Sequence, residues 1–247
     1  MSRQRRVASV GRAEKAITAQ RLSPFYDYSA QPKWEALVKY AWNTAICEAF
    51  YPLLNHIEVV LRNALDRCAA NVYPARSCAT VAGSWLDATP SHLNNYGQED
   101  VLRAKSKLLA ASSSGQILHG QLVAALDFGF WTGLLSGDYV YRTQSDQRLW
   151  PRLLTTAFPQ APAAMLKNVA PIANAFNDVR HFRNRVFHYE PVLKLQPAEK
   201  RAKILDLIAW ISPETSKTVG RLDRLSEVLS DDFRRRFRVR IYRELSM

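Results

Sequence analysis

The chain lacks any uninterrupted apolar run long enough to span a bilayer. Its longest apolar stretch, Phe50 to Leu65, is broken by Asn55, His56, Glu58, Arg62 and Asn63, so no membrane segment is expected. The basic N-terminus is followed by no apolar run with a cleavage site, which argues against a secretory signal. Cysteine is scarce: Cys47, Cys68 and Cys78 show neither CxxC nor metal-ligand spacing, and their number is odd. That pattern fits reduced thiols, a cytoplasmic location, and neither a metal site nor a cofactor. Strand signals are scarce too, with Val192 to Leu195 the one stretch of interest, and no repeat of fixed period is present. Acidic residues are the most telling deficit. Only 22 Asp and Glu stand against 34 Lys and Arg, a net charge of +12, with an isoelectric point near 9.8. A surplus of this sign draws polyanions and speeds their encounter, so nucleic acid is the expected partner class. Arg3, Arg5, Arg6 and Arg12 crowd one end; Arg234, Arg235, Arg236, Arg238, Arg240 and Arg243 crowd the other.

What remains is helical. The 247 residues, 47% of them hydrophobic, suffice for one large domain or two small ones, either with a real core. After Pro32, apolar residues recur at helical spacing from Trp34 to Ile46, and Pro52 is expected to start or kink a second helix through Leu65. A turn-rich stretch from Tyr73 to Gly97 precedes a helix over 99–111, stopped by residues 112–115. An apolar run over 116–135 predicts one core helix ending near Gly133. Further helices are predicted over 149–157, 163–187, 198–211 and 214–229, leading into the basic terminal segment. The fold class is therefore all-α. The expected organisation is a basic extension over 1–21, one helical domain over 22–230 with a weak boundary near 112–115, and a basic helix over 231–247.

Chemistry concentrates in the run VRHFRNRVFHYEPV, Val179 to Val192. Cleaving RNA without a metal requires the 2′-hydroxyl to lose a proton as it attacks phosphorus, and the departing 5′-oxygen to gain one. Arg183 is a permanent charge that can bond two phosphoryl oxygens at once. His188 transfers protons near neutral pH, and Asn184 can orient it or hold a phosphate oxygen. Arg180, Arg185 and Lys194 make the locale basic, and Tyr189 could stack on a base. Glu190 could instead pair with the arginines. Positions five apart lie roughly 140° apart around a helix axis, so Arg183 and His188 do not share a straight helical face. Either the helix ends between them, which Pro191 allows, or a second copy completes the site. A two-fold dimer would bring two copies of each residue into one cleft.

These residues resemble a known pattern. Arg183-Asn184-x-x-x-His188 is similar to the R-x(4–6)-H signature of the HEPN superfamily of ribonucleases. Three ordered runs, YAWNTAICEAFYPLLNHIEVVLRNALD (Tyr40 to Asp66), LDFGFWTGLL (Leu126 to Leu135) and VRHFRNRVFHYEPV, resemble the Abi-like family, related to the AbiD and AbiF abortive-infection proteins. The resemblance covers roughly residues 20 to 210. It implies a HEPN-type helical bundle with flanking helices, a homodimer with a composite site, and metal-independent endoribonuclease activity in toxin-type antiphage defence. An antitoxin of protein or RNA would accompany it. The family's catalytic arginine, polar residue and histidine fall on Arg183, Asn184 and His188. Its other motif puts Glu58, Arg62 and Asn63 in a supporting or RNA-binding shell, although Glu58 and Arg62 also have the spacing of an internal helix ion pair. The chain departs at Tyr189, where many relatives carry a second histidine. The alternative function is a non-catalytic module that binds RNA or docks an antitoxin.

Overall fold

The computed structural model describes residues 3–26, 32–73, 81, 83–113, 115–140 and 148–244. Of the features named above, residues 74–80 (with Cys78), 82 and 114 and the side chains of Arg3, Arg5, Arg6 and Pro32 lie outside the described set. Twelve α-helices and no strand occur among the described residues: α1 (Arg3–Ile17), α2 (Ala19–Leu22), α3 (Pro32–Val72), α4 (Asn95–Ala111), α5 (His119–Ala125), α6 (Phe128–Gly133), α7 (Leu154–Ala157), α8 (Ala170–Phe187), α9 (Pro197–Ile211), α10 (Pro213–Leu222), α11 (Leu225–Val228) and α12 (Asp231–Glu244). The all-α class is thus found. No helix among the described residues is long and apolar enough to cross a membrane.

Several expected boundaries move, each for a local reason. Pro52 neither starts nor divides a helix but sits inside the 41-residue α3. An internal proline costs about 3 kcal/mol, and the complete burial of Phe50 and Leu53 beside it offsets a loss of that size. Helix α4 starts earlier than expected, because the Asn94 side chain accepts from the Gly97 N–H at 2.9 Å and caps it. The run over 116–135 forms two helices rather than one. Asp127 interrupts it by capping α6, accepting from the Phe130 N–H at 2.9 Å. Helix α8 begins at Ala170, after a 3-10 turn over Met165–Lys167. The helix expected over 214–229 divides into α10 and α11 around Asp223, whose carboxylate accepts from the Leu225 N–H at 3.0 Å. Val192 to Leu195 is a turn, closed by the Leu195 N–H on the Val192 carbonyl at 2.9 Å.

The chain divides into two compact units. The first comprises Met1–Leu54, Phe182–Lys203 and Gly220–Met247. Its spine is the first half of α3, whose Ile46, Cys47, Phe50 and Leu53 are fully buried. Phe182 meets Phe50 edge to face at 4.8 Å, and the Trp42 indole N–H donates to the Val228 carbonyl at 2.9 Å. Glu14 ties α1 down, accepting from Lys33 and the Tyr26 hydroxyl, each at 2.7 Å. The second unit comprises Asn55–His181 and Ile204–Val219, and residues 112–115 fall inside it. Its core is aromatic, with Trp85, Trp131, Trp150, Tyr139, Phe128 and Phe158 all essentially inaccessible. The Trp150 indole N–H finds the Leu134 carbonyl at 2.6 Å, as buried indoles usually do.

Candidate active site

The residues singled out around Arg183 sit at the C-terminal end of α8. Phe176, Val179, Phe182 and Val186 recur at helical spacing and are all buried, which orients this helix. It ends in a specific way. The Glu190 N–H donates to the Arg185 carbonyl at 2.8 Å and the Tyr189 N–H to the Val186 carbonyl at 3.0 Å, while Tyr189 takes a φ of 51°. This is a Schellman cap with tyrosine where glycine is usual. The left-handed conformation costs a tyrosine about 1 kcal/mol.

Four side chains hold that cap in place. The Tyr189 and Tyr51 hydroxyls are 2.7 Å apart. Arg21 Nη2 donates to the His188 carbonyl and, at 2.8 Å, to the Tyr189 carbonyl. Asn43 Nδ2 donates to the Glu190 carbonyl at 3.0 Å, and its Oδ1 accepts from the Val192 N–H at 2.8 Å. Arg21, Asn43 and Tyr51 escaped notice in the sequence. A signal existed only for Asn43, an amide at helical spacing from the apolar Cys47, Phe50 and Leu54 and itself wholly buried; such a group must find partners.

On this scaffold the guanidinium of Arg183 lies 4.4 Å from the centroid of the Phe187 ring. That ring also stacks on Tyr51, at 5.0 Å and 19°. A cation over an aromatic face keeps its charge while losing freedom. Asn184 and His188 are exposed. The His188 N–H still bonds the Asn184 carbonyl at 3.1 Å, so helical phase persists to His188. In helical phase Arg183 and His188 therefore lie roughly 140° apart around the axis. Arg185 and Glu190 form the exposed ion pair foreseen for Glu190, at 3.3 Å. Arg180 and the Glu58, Arg62 and Asn63 trio belong to the other unit. Arg180 Nε donates to Asn177 at 3.1 Å. Arg62 Nε is buried with no acceptor among the described residues, so the helical spacing to Glu58 yields no bond to that nitrogen. Burial, then the bond to Tyr189, pushes the Tyr51 hydroxyl up to about 12; burial alone pushes the Cys47 thiol up to about 11.

The second unit holds a constellation that sequence spacing did not suggest. The Ser84 hydroxyl is 2.8 Å from His119 Nδ1, and His119 Nε2 is 3.1 Å from Asp66. A serine, a histidine and a carboxylate in series make no nucleophile here, because Ser84 is wholly buried and no substrate reaches its oxygen. Asp66 also accepts from the Trp85 indole N–H at 2.8 Å. The group is a structural clamp on a core tryptophan. No group of three His, Cys, Asp or Glu side chains suited to a metal ion occurs among the described residues. Comparison with protein-family models, with curated proteins and with solved structures finds no match.

Proposed function

We propose that this protein is an RNA-cleaving enzyme acting through Arg183, Asn184 and His188. The observation that carries the reading is the end of α8, where a restrained guanidinium and an exposed imidazole flank a helix terminus clamped by Arg21, Asn43 and Tyr51. Preorganised charge of this kind stabilises a phosphoryl transition state without reorganising during the reaction. His188 takes the proton of the 2′-hydroxyl as its oxygen bonds phosphorus. The bond from phosphorus to the 5′-oxygen breaks, leaving a 2′,3′-cyclic phosphate, and Arg183 neutralises the charge gathering on the phosphoryl oxygens. A second acid must protonate the departing 5′-oxygen.

Because Arg183 and His188 lie roughly 140° apart in helical phase, the reading includes a homodimer in which His188 of a second copy supplies that proton. Toxin-type antiphage defence, with a protein or RNA antitoxin, is the setting that the Abi-like resemblance suggests. The deciding experiment compares wild type with His188→Ala on total RNA in EDTA. Wild type should fragment RNA and be toxic when expressed; the variant should bind RNA but neither cut it nor harm cells. Undiminished cleavage by His188→Ala would overturn the assignment.

A further inference from the structure

Helix α12 runs antiparallel to the first half of α3 within the first unit, and its two faces differ in kind. One face is committed to α3: Arg234 lies 5.2 Å over the Trp42 ring, Arg238 pairs with Glu35, and Tyr242 meets Trp34 edge to face at 5.6 Å. The other carries Phe233, Arg236, Phe237 and Arg240, spaced i, i+3, i+4 and i+7, and so forms a stripe. This stripe walls a cleft of about 490 Å³ that also reaches Ala49 and Pro52 of α3. The Phe233 and Phe237 rings stack at 5.5 Å and 16° and are half-exposed. Arg236 is held at 2.8 Å by Asp232, whereas Arg240 has no acidic partner among the described residues.

We propose that this cleft docks one base of single-stranded RNA, with the flanking phosphates on Arg236 and Arg240. The charge pattern selects that occupant. Helix α12 holds six arginines, no lysine and three acids, a surplus that suits phosphate forks. The cleft is also lined by Arg224, which pairs with Glu227 at 3.7 Å, and by Glu48, so it offers carboxylate acceptors for the amino groups of a base within a net positive surround. A single nucleotide strand brings donors, a flat π face and anions at once. A duplex hides the base faces. The site goes beyond the cleavage reading and takes from it only the choice of RNA. Docking is therefore measured on the uncleaving His188→Ala chain, which separates its failure from the failure of catalysis.

The test is fluorescence anisotropy of a labelled single-stranded RNA against the full His188→Ala chain in EDTA, over a series of salt concentrations, with the variants below made in that background. Phe237→Leu, which keeps apolar bulk and removes the π face, should weaken binding about tenfold. Arg236→Gln with Arg240→Gln should lower the slope of log affinity against log salt by about 1.4, roughly 0.7 for each phosphate no longer neutralised. Both variants should leave the circular dichroism spectrum unchanged. Unaltered affinity and slope in these folded variants would overturn the proposal. So would duplex RNA or polyglutamate binding as tightly as the single strand.

Discussion

Replacing Asn43 by alanine tests whether the end of α8 is held from a distance. Asn43 is wholly buried, and its amide makes two bonds to the chain beyond the motif, at 3.0 Å to the Glu190 carbonyl and 2.8 Å from the Val192 N–H. Val192 is itself inaccessible, so its N–H would keep no acceptor, a penalty of about 1–3 kcal/mol. The Glu190 carbonyl can turn to water, and losing that bond costs about 1 kcal/mol. Together the substitution should cost about 3 kcal/mol. Hydrogen exchange is the sharpest assay, because the Val192 amide should exchange about a hundredfold faster, at about 1.4 kcal/mol per factor of ten. Urea unfolding should show a matching fall in stability. Asn43→Asp keeps the acceptor but not the donor and buries a charge, so at pH 7 it should destabilise at least as much. Unchanged exchange at Val192, with less than about 1 kcal/mol lost, would refute the clamp.

Three further outcomes are expected. The buried Cys47 thiol and Tyr51 hydroxyl are raised from 9.0 to about 11 and from 10.0 to about 12, so the native state keeps these protons longer than the unfolded chain. Their contribution is complete below about pH 9 and is lost as pH rises towards about 12; Tyr51→Phe should flatten the upper part of that decline in alkaline unfolding curves, and an unchanged curve would count against it. Asp66→Ala strands the indole N–H of Trp85, a residue only 2% exposed, and should cost about 2–3 kcal/mol in thermal or urea unfolding; a neutral result would sink the clamp reading. Mixing His188→Ala chains into wild type should lower RNA cleavage more steeply than the wild-type fraction falls, because a mixed dimer keeps one of the two imidazoles the reaction uses, and cleavage that tracks that fraction in demonstrably mixed dimers would exclude a shared site.

Helix positions were legible wherever local chemistry ruled. Helix α9 begins at Pro197, one residue before the periodicity suggested, because proline suits a first helical turn and its apolar spacing is regular. Local reading failed where one side chain decided. Asp127 divides an apolar run by capping α6, and Pro52 is tolerated inside α3 by the burial around it. The candidate site divides the same way. Arg183, Asn184 and His188 were visible because their types and spacing carry chemistry within six residues. The groups that set their geometry were not, since Asn43 and Arg21 act across 147 and 167 residues.

The sequence by itself determined an all-α fold class, a basic balance of charge and the short Arg183-Asn184-x-x-x-His188 motif, because propensity, charge and short spacing are properties of neighbours along the chain. Tertiary structure alone decided that Tyr189 would end α8 in a left-handed turn, that Phe187 would carry the Arg183 guanidinium, and that α12 would present a phenylalanine and arginine stripe beside a cleft. Those outcomes depend on which buried donors and acceptors meet, and only the folded backbone brings them within about 3 Å.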